Sequence, residues 1–89
     1  MGKTHRLYGQ KARGIRITAL LARDGPNCAI CGRRLDRKIR NTDDPRFITF
    51  DHILPSSRGG TDELRNLRLA HRFCNEARAD TPIEETPAP

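Results

Sequence analysis

Residues 47–55 read Phe-Ile-Thr-Phe-Asp-His-Ile-Leu-Pro, an apolar and β-prone run that a proline closes. The run predicts a strand over residues 47–54 that carries the neighbouring pair Asp51 and His52 near its end. A carboxylate can ligate a divalent cation through a hard oxygen, and an imidazole can act as a general base near neutral pH. This pair therefore indicates metal-assisted hydrolysis.

Two asparagines follow the strand. Asn66 begins a second short strand that we expect over residues 66–69, and Asn75 lies in a helix that we expect over residues 71–79. Asn66 can orient a histidine, and Asn75 can add an amide oxygen to the cation. Strand, loop, strand and helix around a metal form a ββα-metal arrangement, and this set of groups suffices to hydrolyse a phosphodiester.

Two pairs of soft metal ligands flank this core, Cys28-x-x-Cys31 and His71-x-x-Cys74. Each spacing lets one knuckle or one helical turn offer two ligands to one ion, and three cysteines with one histidine are a closed set for zinc. The alternative is that the cysteines are buried thiols and His71 is a surface or DNA-contacting residue. The two pairs together predict a structural zinc site.

The chain has 89 residues, of which 35% are hydrophobic, and it has no tryptophan. That length allows one domain with a thin core, which usually needs a cross-link or a metal. An odd number of cysteines with a Cys-x-x-Cys favours metal ligation over a disulfide framework. The formal net charge of +6 suggests a polyanionic partner, with nucleic acid first, although solubility alone is an alternative explanation.

The chain divides into three predicted segments. Residues 1–12 form a basic flexible arm, residues 13–79 form the folded domain, and residues 80–89 form a proline-rich tail. Within the domain, residues 13–23 predict a short helix. The apolar face of this helix comprises Ile15, Ala19, Leu20 and Ala22. The expected core includes Leu20, Leu21 and Phe73.

The complete pattern resembles the HNH endonuclease family over residues 28–79. The shared motifs are Cys-x-x-Cys, Asp-His-Ile-x-Pro-x-Ser-x-Gly-Gly, Asn-Leu and Cys-Asn. The resemblance implies a small α+β fold, with a ββα-metal (His-Me finger) core, a zinc knuckle and a short N-terminal helix. It also implies metal-dependent DNA cleavage that leaves 5′-phosphate and 3′-hydroxyl ends. By position, His52 is the general base, Asn66 holds it in place, and Asp51 and Asn75 bind the catalytic cation.

The chain departs from the family pattern at Asn75, where the family usually has histidine, so it is an HNN variant. An amide oxygen is a harder ligand than imidazole, which favours Mg²⁺ or Mn²⁺ over zinc or nickel. One geometric difficulty follows from the motif. Adjacent residues of a strand project to opposite faces, so Asp51 and His52 can share one centre only if a bend or bulge lies there.

The expected partner is DNA, and the expected assembly is a monomer or a weak dimer. Three arginines are predicted to contact the nucleic acid: Arg58, Arg72 and Arg78. No apolar run could span a membrane and no signal peptide is visible, which favours the cytoplasm. Resemblance to HNH domains of bacterial viruses suggests a role beside a packaging terminase. The main alternative is a zinc-stabilised DNA-binding module without catalysis. The sequence leaves open the DNA site and whether one or both strands are cut.

Overall fold

The computed structural model describes residues 3–78, with side chains from residue 9 onward. The helices and strands are α1 (Lys3–Asp24), β1 (Ile48–His52), β2 (Leu67–His71) and α2 (Arg72–Arg78), and two 3-10 turns, Ser56–Arg58 and Leu64–Asn66, lie between the strands. This order confirms the small α+β fold and its ββα arrangement. The predicted tail at residues 80–89 lies outside the described residues.

The two strands form an antiparallel hairpin. Its register pairs Ile48 with His71 at one end and His52 with Leu67 at the other, and every residue between them has a partner. The predicted bulge at Asp51 and His52 is therefore wrong. Because the ladder is unbroken, Asp51 and His52 project to opposite faces of a regular strand.

Helix α1 begins at Lys3, inside the segment 1–12 that the sequence indicates as an arm. Gly9 interrupts the helical path with φ 62° and ψ 173°, a conformation that glycine adopts without steric cost. The predicted helix over residues 13–23 lies within α1. The chain leaves the helix through Gly25, whose φ is 89°, directly before a proline.

The buried face of α1 differs from the predicted one. Ile17 and Leu20 are buried and Leu21 is packed against them, whereas Ile15 is 62% exposed. Residues 17, 20 and 21 share one side of a helix because they are three and four positions apart. Phe73, predicted to be in the core, is 65% exposed on α2. The apolar pattern predicted the helix correctly, but it did not predict which side of the helix is buried.

The core lies between α1, the cysteine knuckle and one face of the hairpin. It consists of Ile17, Leu20, Cys28, Leu35, Ile48, Phe50, Leu67, Leu69 and Ala70. Such a small cluster agrees with the low apolar content of the chain. None of the helices within residues 3–78 is both long and apolar enough to cross a bilayer.

Three arginines of α1 bind main-chain carbonyls of the hairpin unit. The acceptors are Ile48 for Arg13, Asp62 for Arg16, and Leu64 and Leu67 for Arg23. The Arg13 guanidinium also lies 4.5 Å from the centre of the Phe47 ring, and burial together with nearby Arg37 lowers its pKa. These positive charges stabilise the fold, so the basic composition is not wholly available to a polyanionic partner.

Candidate functional site

The four predicted zinc ligands meet at one point between the knuckle and the hairpin. The ligand atoms of Cys28, Cys31, His71 and Cys74 all lie within 4.8 Å of one another. Zinc–sulfur bonds of about 2.3 Å place tetrahedral sulfurs about 3.8 Å apart, so the cluster has the size of a zinc site. The predicted Cys₃His site is therefore confirmed as a geometric arrangement that fits structural zinc.

Hydrogen bonds around the cluster orient its ligands. The His71 Nε2 lies 3.2 Å from the Arg34 carbonyl, which directs Nδ1 toward the sulfurs, 3.4 Å from Cys31 Sγ. The Arg33 amide donates to Cys31 Sγ at 3.4 Å. A carbonyl that holds the second nitrogen of a metal-binding imidazole is a common supporting contact. These contacts orient the ligand atoms of the knuckle and of His71 toward one common point.

The thiols of the cluster differ in acidity. Burial raises the pKa of the Cys28 thiol, but amide hydrogen bonds from Cys31, His71 and Ile30 outweigh it and lower the pKa to about 7. Burial and the neighbouring sulfurs raise the pKa of Cys74 to about 12. Cys28 therefore ionises more readily than Cys74, and a bound cation would supply the positive charge that thiolates need.

His52 lies at the end of β1 and contacts a residue that the sequence pattern did not indicate. Its Nε2 is 2.7 Å from the Oδ1 of Asp62, in the loop between the strands. The histidine side chain is 22% exposed, so solvent can reach it. The end of a strand followed by a shaped loop is a suitable position for a general base, because the imidazole is held and also accessible.

Asn66 organises this loop through both ends of its side chain. Its Oδ1 accepts a hydrogen bond from the Leu54 amide at 2.9 Å, and its Nδ2 donates to the carbonyls of Thr61 at 2.7 Å and Leu54 at 3.1 Å. Its own carbonyl accepts from the Ile53 amide at 2.8 Å. Asn66 therefore binds the residues just after His52 and just before Asp62, and it makes no hydrogen bond to the imidazole itself.

Steric constraints explain why two glycines, Gly59 and Gly60, occur in this loop. Gly59 adopts a left-handed conformation with φ 92°. A Cβ at Gly60 would lie 1.7 Å from the Leu54 carbonyl oxygen and 3.0 Å from Asn66 Nδ2. Only glycine permits this approach, so the pair serves the geometry of the loop.

Asp51 lies on the opposite face of β1 from His52, as strand alternation requires. Its carboxylate is 1% exposed and accepts hydrogen bonds from Arg68 Nε at 2.7 Å and Arg78 Nη1 at 2.8 Å. Arg68 is its directly paired neighbour on β2, and Arg78 comes from α2. Asp51, Arg68 and Arg78 form a buried ion triad that joins the three elements of the ββα unit.

The triad changes the interpretation of two predicted site residues. Arg78 was predicted to contact DNA, but it is 6% exposed, and its guanidinium also donates to the carbonyls of His52 and Ile53. A buried and paired guanidinium is not available to a phosphate, so this prediction is corrected. Asp51 has suitable oxygens for Mg²⁺, but both arginines bind its buried carboxylate, so a divalent cation would have to displace at least one of them.

Asn75 contacts β1 from helix α2. Its Nδ2 donates to Thr49 Oγ1 and to the Phe50 carbonyl, both at 3.1 Å. This arrangement leaves the amide oxygen as the atom that could ligate a cation. The four predicted catalytic residues thus bind separate partners: Asp51 binds arginines, His52 binds Asp62, Asn66 binds the loop backbone, and Asn75 binds the β1 backbone and Thr49.

The two other predicted DNA contacts remain near the surface. Arg58 ends the first 3-10 turn and is exposed. Arg72 donates to the Asp43 carbonyl at 3.1 Å and pairs with Glu76 at 3.1 Å, with its side chain 35% exposed. Arg58 is the better placed of the two to meet a phosphate without first breaking a contact.

Sequence reasoning did not identify Asp62 or Arg68 as partners in the site. Arg68 follows from the hairpin register, because Asp51 and Arg68 are directly opposite once Asn66 is placed at the end of the loop. No sequence pattern identifies Asp62 as a partner of His52, because it is one acidic residue in a polar loop, ten positions after the histidine. Its contact with the imidazole depends on how the loop folds back.

The ββα hairpin, a Cys₃His cluster that fits zinc and a partly exposed histidine at the strand end are together the arrangement of a small ββα-metal fold. The chain matches the family model described as HNH endonuclease over residues 28–81, which is more than half of its length. The chain therefore belongs to the HNH endonuclease family. No curated protein and no solved structure shows significant similarity to it. Membership of this family indicates a nuclease or DNA-binding function and DNA as the partner.

Proposed function

We propose that this protein is an endonuclease that hydrolyses phosphodiester bonds of DNA, with His52 as the general base. The observation that carries the proposal is the position of His52, half-exposed at the end of β1 beside a loop that Asn66 organises. The family match supplies the reaction class. A binding module would have no evident need for a solvent-accessible imidazole held in this way.

In the proposed reaction, His52 takes a proton from a water molecule, which attacks the scissile phosphorus. The bond from phosphorus to the 3′ oxygen breaks, and the departing oxygen takes a proton from solvent, which leaves 5′-phosphate and 3′-hydroxyl ends. The half-buried position of the ring limits its rotation, so the water and the ring nitrogen can be aligned before reaction. One active site per chain cuts one strand at a time, so we expect nicking to precede any double-strand cleavage.

A catalytic cation, Mg²⁺ or Mn²⁺, belongs to the same proposal, with Asp51 and Asn75 as its ligands. Such an ion would neutralise charge that develops on the phosphate. The Asn75 amide oxygen suits this role, whereas the Asp51 carboxylate would first have to lose a contact with Arg68 or Arg78. Strong cleavage with Ni²⁺ and none with Mg²⁺ or Mn²⁺ would count against the preference for hard cations.

The direct test is cleavage of supercoiled plasmid by the wild type and by His52→Ala, with Mg²⁺, Mn²⁺, Ni²⁺, Zn²⁺ or a chelator. Thr18→Ala, on the exposed side of α1, serves as the matched control. We expect metal-dependent nicking that disappears only in His52→Ala. Zinc content and circular dichroism of each variant exclude loss of fold as the cause, and full activity of a folded His52→Ala would refute the role of His52.

A second candidate is a zinc-stabilised DNA-binding module without catalysis. The buried ion triad favours it, because Asp51 is engaged by two arginines and not presented to a metal. This candidate predicts DNA binding by a zinc-loaded wild type that cuts nothing with any metal. The plasmid assay, run beside a gel-shift assay on the same preparation, separates the two candidates.

The biological setting that we propose is assistance to a DNA-packaging terminase in a bacterial virus, with DNA cleavage dependent on that partner or enhanced by it. The proposal is supported by the arginine-rich composition of the chain and by analogy with HNH domains of bacterial viruses. Co-purification with a terminase subunit, and faster nicking when that subunit is added, are the expected results. No association and no change in nicking rate would remove this part of the proposal.

A further inference from the structure

We propose that Asp62 is the positioning residue for His52, which fixes the orientation and the tautomer of the imidazole. The inference deepens the proposed function and rests on it for its catalytic meaning. Its basis is the 2.7 Å contact between Asp62 Oδ1 and His52 Nε2. An exposed ion pair contributes little stability when both side chains can move, so the pair alone would not fix the ring.

The backbone around Asp62 is held by one long-range contact and one contact within the loop, and these give the pair its significance. Arg16 of α1 donates to the Asp62 carbonyl at 2.5 Å. Asn66 donates to the neighbouring Thr61 carbonyl at 2.7 Å. The Arg16 contact comes from α1, and the Asn66 contact comes from the C-terminal end of the loop itself. The packing of α1 and the folding of the loop together therefore bring this carboxylate to the ring.

The contact decides which ring nitrogen can act as the base. An ionised carboxylate only accepts hydrogen bonds, so the nitrogen that faces Asp62 must carry the proton. Neutral His52 is then the Nε2–H tautomer, and Nδ1 holds the lone pair that can take a proton from water. When Nδ1 receives that proton, the ring becomes positive beside the negative carboxylate of Asp62.

The contact also assigns an indirect role to Asn66. The sequence predicts that Asn66 orients His52. In the structure Asn66 donates a hydrogen bond to the Thr61 carbonyl, and the next residue, Asp62, contacts the imidazole. On this view, Asn66→Ala and Asp62→Ala disturb the same imidazole. Their effects on it should therefore be less than additive when the two changes are combined.

The test that does not depend on activity is long-range ¹H–¹⁵N NMR of the imidazoles in the zinc-loaded protein at pH 8.5. His52→Asn assigns the His52 signals. We expect the wild type to show a protonated Nε2 and an unprotonated Nδ1, and Asp62→Ala to show a mixture of both tautomers. Asp62→Asn retains the size of the side chain and guards against a folding defect in Asp62→Ala.

Glu63→Gln is the matched control, because Glu63 is an exposed carboxylate in the same loop that pairs with Arg65 and not with His52. It should leave the tautomer unchanged. In the plasmid assay, Asp62→Ala should lower kcat by about 10- to 100-fold with little change in KM for DNA, by analogy with other residues that orient a functional histidine. Glu63→Gln should lower neither.

The outcomes separate this inference from the proposed function. An unchanged tautomer in folded Asp62→Ala, or the same change in Glu63→Gln, overturns the inference even if the wild type cuts DNA. A tautomer change in Asp62→Ala but not in Glu63→Gln, in a protein that cuts no DNA with any metal either alone or with the terminase subunit, supports the positioning contact and refutes the nuclease.

Discussion

The Cys₃His cluster and the His52 loop are two polar sites on the same hairpin, and they are built in different ways. The cluster takes its ligands as two local pairs, each within one turn of chain, and backbone amides orient the sulfurs. The His52 loop depends on a contact from the distant residue Arg16 of α1 and on Asn66 at its own C-terminal end. The comparison teaches that the first site can be recognised from spacing, whereas the second exists only when the whole domain is folded.

The largest effect that we expect comes from removal of zinc. A small core cannot hold the knuckle against the hairpin, and a structural zinc supplies apparent folding free energy of roughly 10 kcal/mol. Treatment with a strong chelator, or Cys28→Ser, should abolish the cooperative thermal transition seen by circular dichroism. His52→Ala should keep both its zinc and its transition. A chelated protein that still melts cooperatively would show that the cluster is not the main cross-link.

The next effect concerns the buried ion triad. Asp51→Ala leaves the guanidinium of Arg78 buried without its partner, which costs about 3–5 kcal/mol of unfolding free energy. Asp24→Ala, which removes an exposed pair with Arg23, should cost no more than about 1 kcal/mol. Urea unfolding of zinc-loaded proteins measures both. Equal losses in the two variants would mean that the triad contributes no more than a surface pair.

A smaller effect is expected in the loop itself. Gly60→Ala places a Cβ against the Leu54 carbonyl and should destabilise the protein by about 1–3 kcal/mol, as overpacking does. Gly14→Ala, with nothing within 4 Å of the added Cβ in helix α1, should stabilise it by about 0.5–1 kcal/mol. Thermal melts of the two alanine variants should therefore shift in opposite directions.

The smallest effect on stability is expected at the exposed arginine Arg58. Arg58→Ala should change unfolding free energy by less than about 0.5 kcal/mol. It should nevertheless weaken DNA binding and lower the slope of log affinity against log salt by about one, the amount expected for one lost phosphate contact. Arg46→Ala, at an exposed arginine paired with Asp44, is the control. An unchanged salt slope in Arg58→Ala would remove Arg58 from the DNA surface.

The strands and the second helix could be predicted closely because their signals are local. The predicted strand 47–54 contains β1, the predicted helix 71–79 contains α2, and β2 extends two residues beyond the predicted strand 66–69. The inward face of α1 could not be predicted as well. Ile15 is as apolar as Ile17, and only contact with the hairpin decides which of them is buried.

The site shows the same division between local and long-range information. The zinc ligands could be predicted because a knuckle and a helical turn set their distances within three residues. The motif suggests that Asp51 and His52 share one centre. They are neighbours in a regular strand, however, and therefore lie on opposite faces of it. The acidic partner of His52 is Asp62, which no spacing rule connects to it.

The sequence by itself determined the family, the ββα order, the four zinc ligands and the histidine proposed as the base. These depend on residue types at short spacings, which the covalent chain preserves in any conformation. The tertiary structure decided that Asp51 pairs with Arg68 and Arg78, that Arg78 is buried, and that Asp62 meets His52. Each of these depends on hairpin register and loop path, which are fixed only when the core and the long-range hydrogen bonds form together.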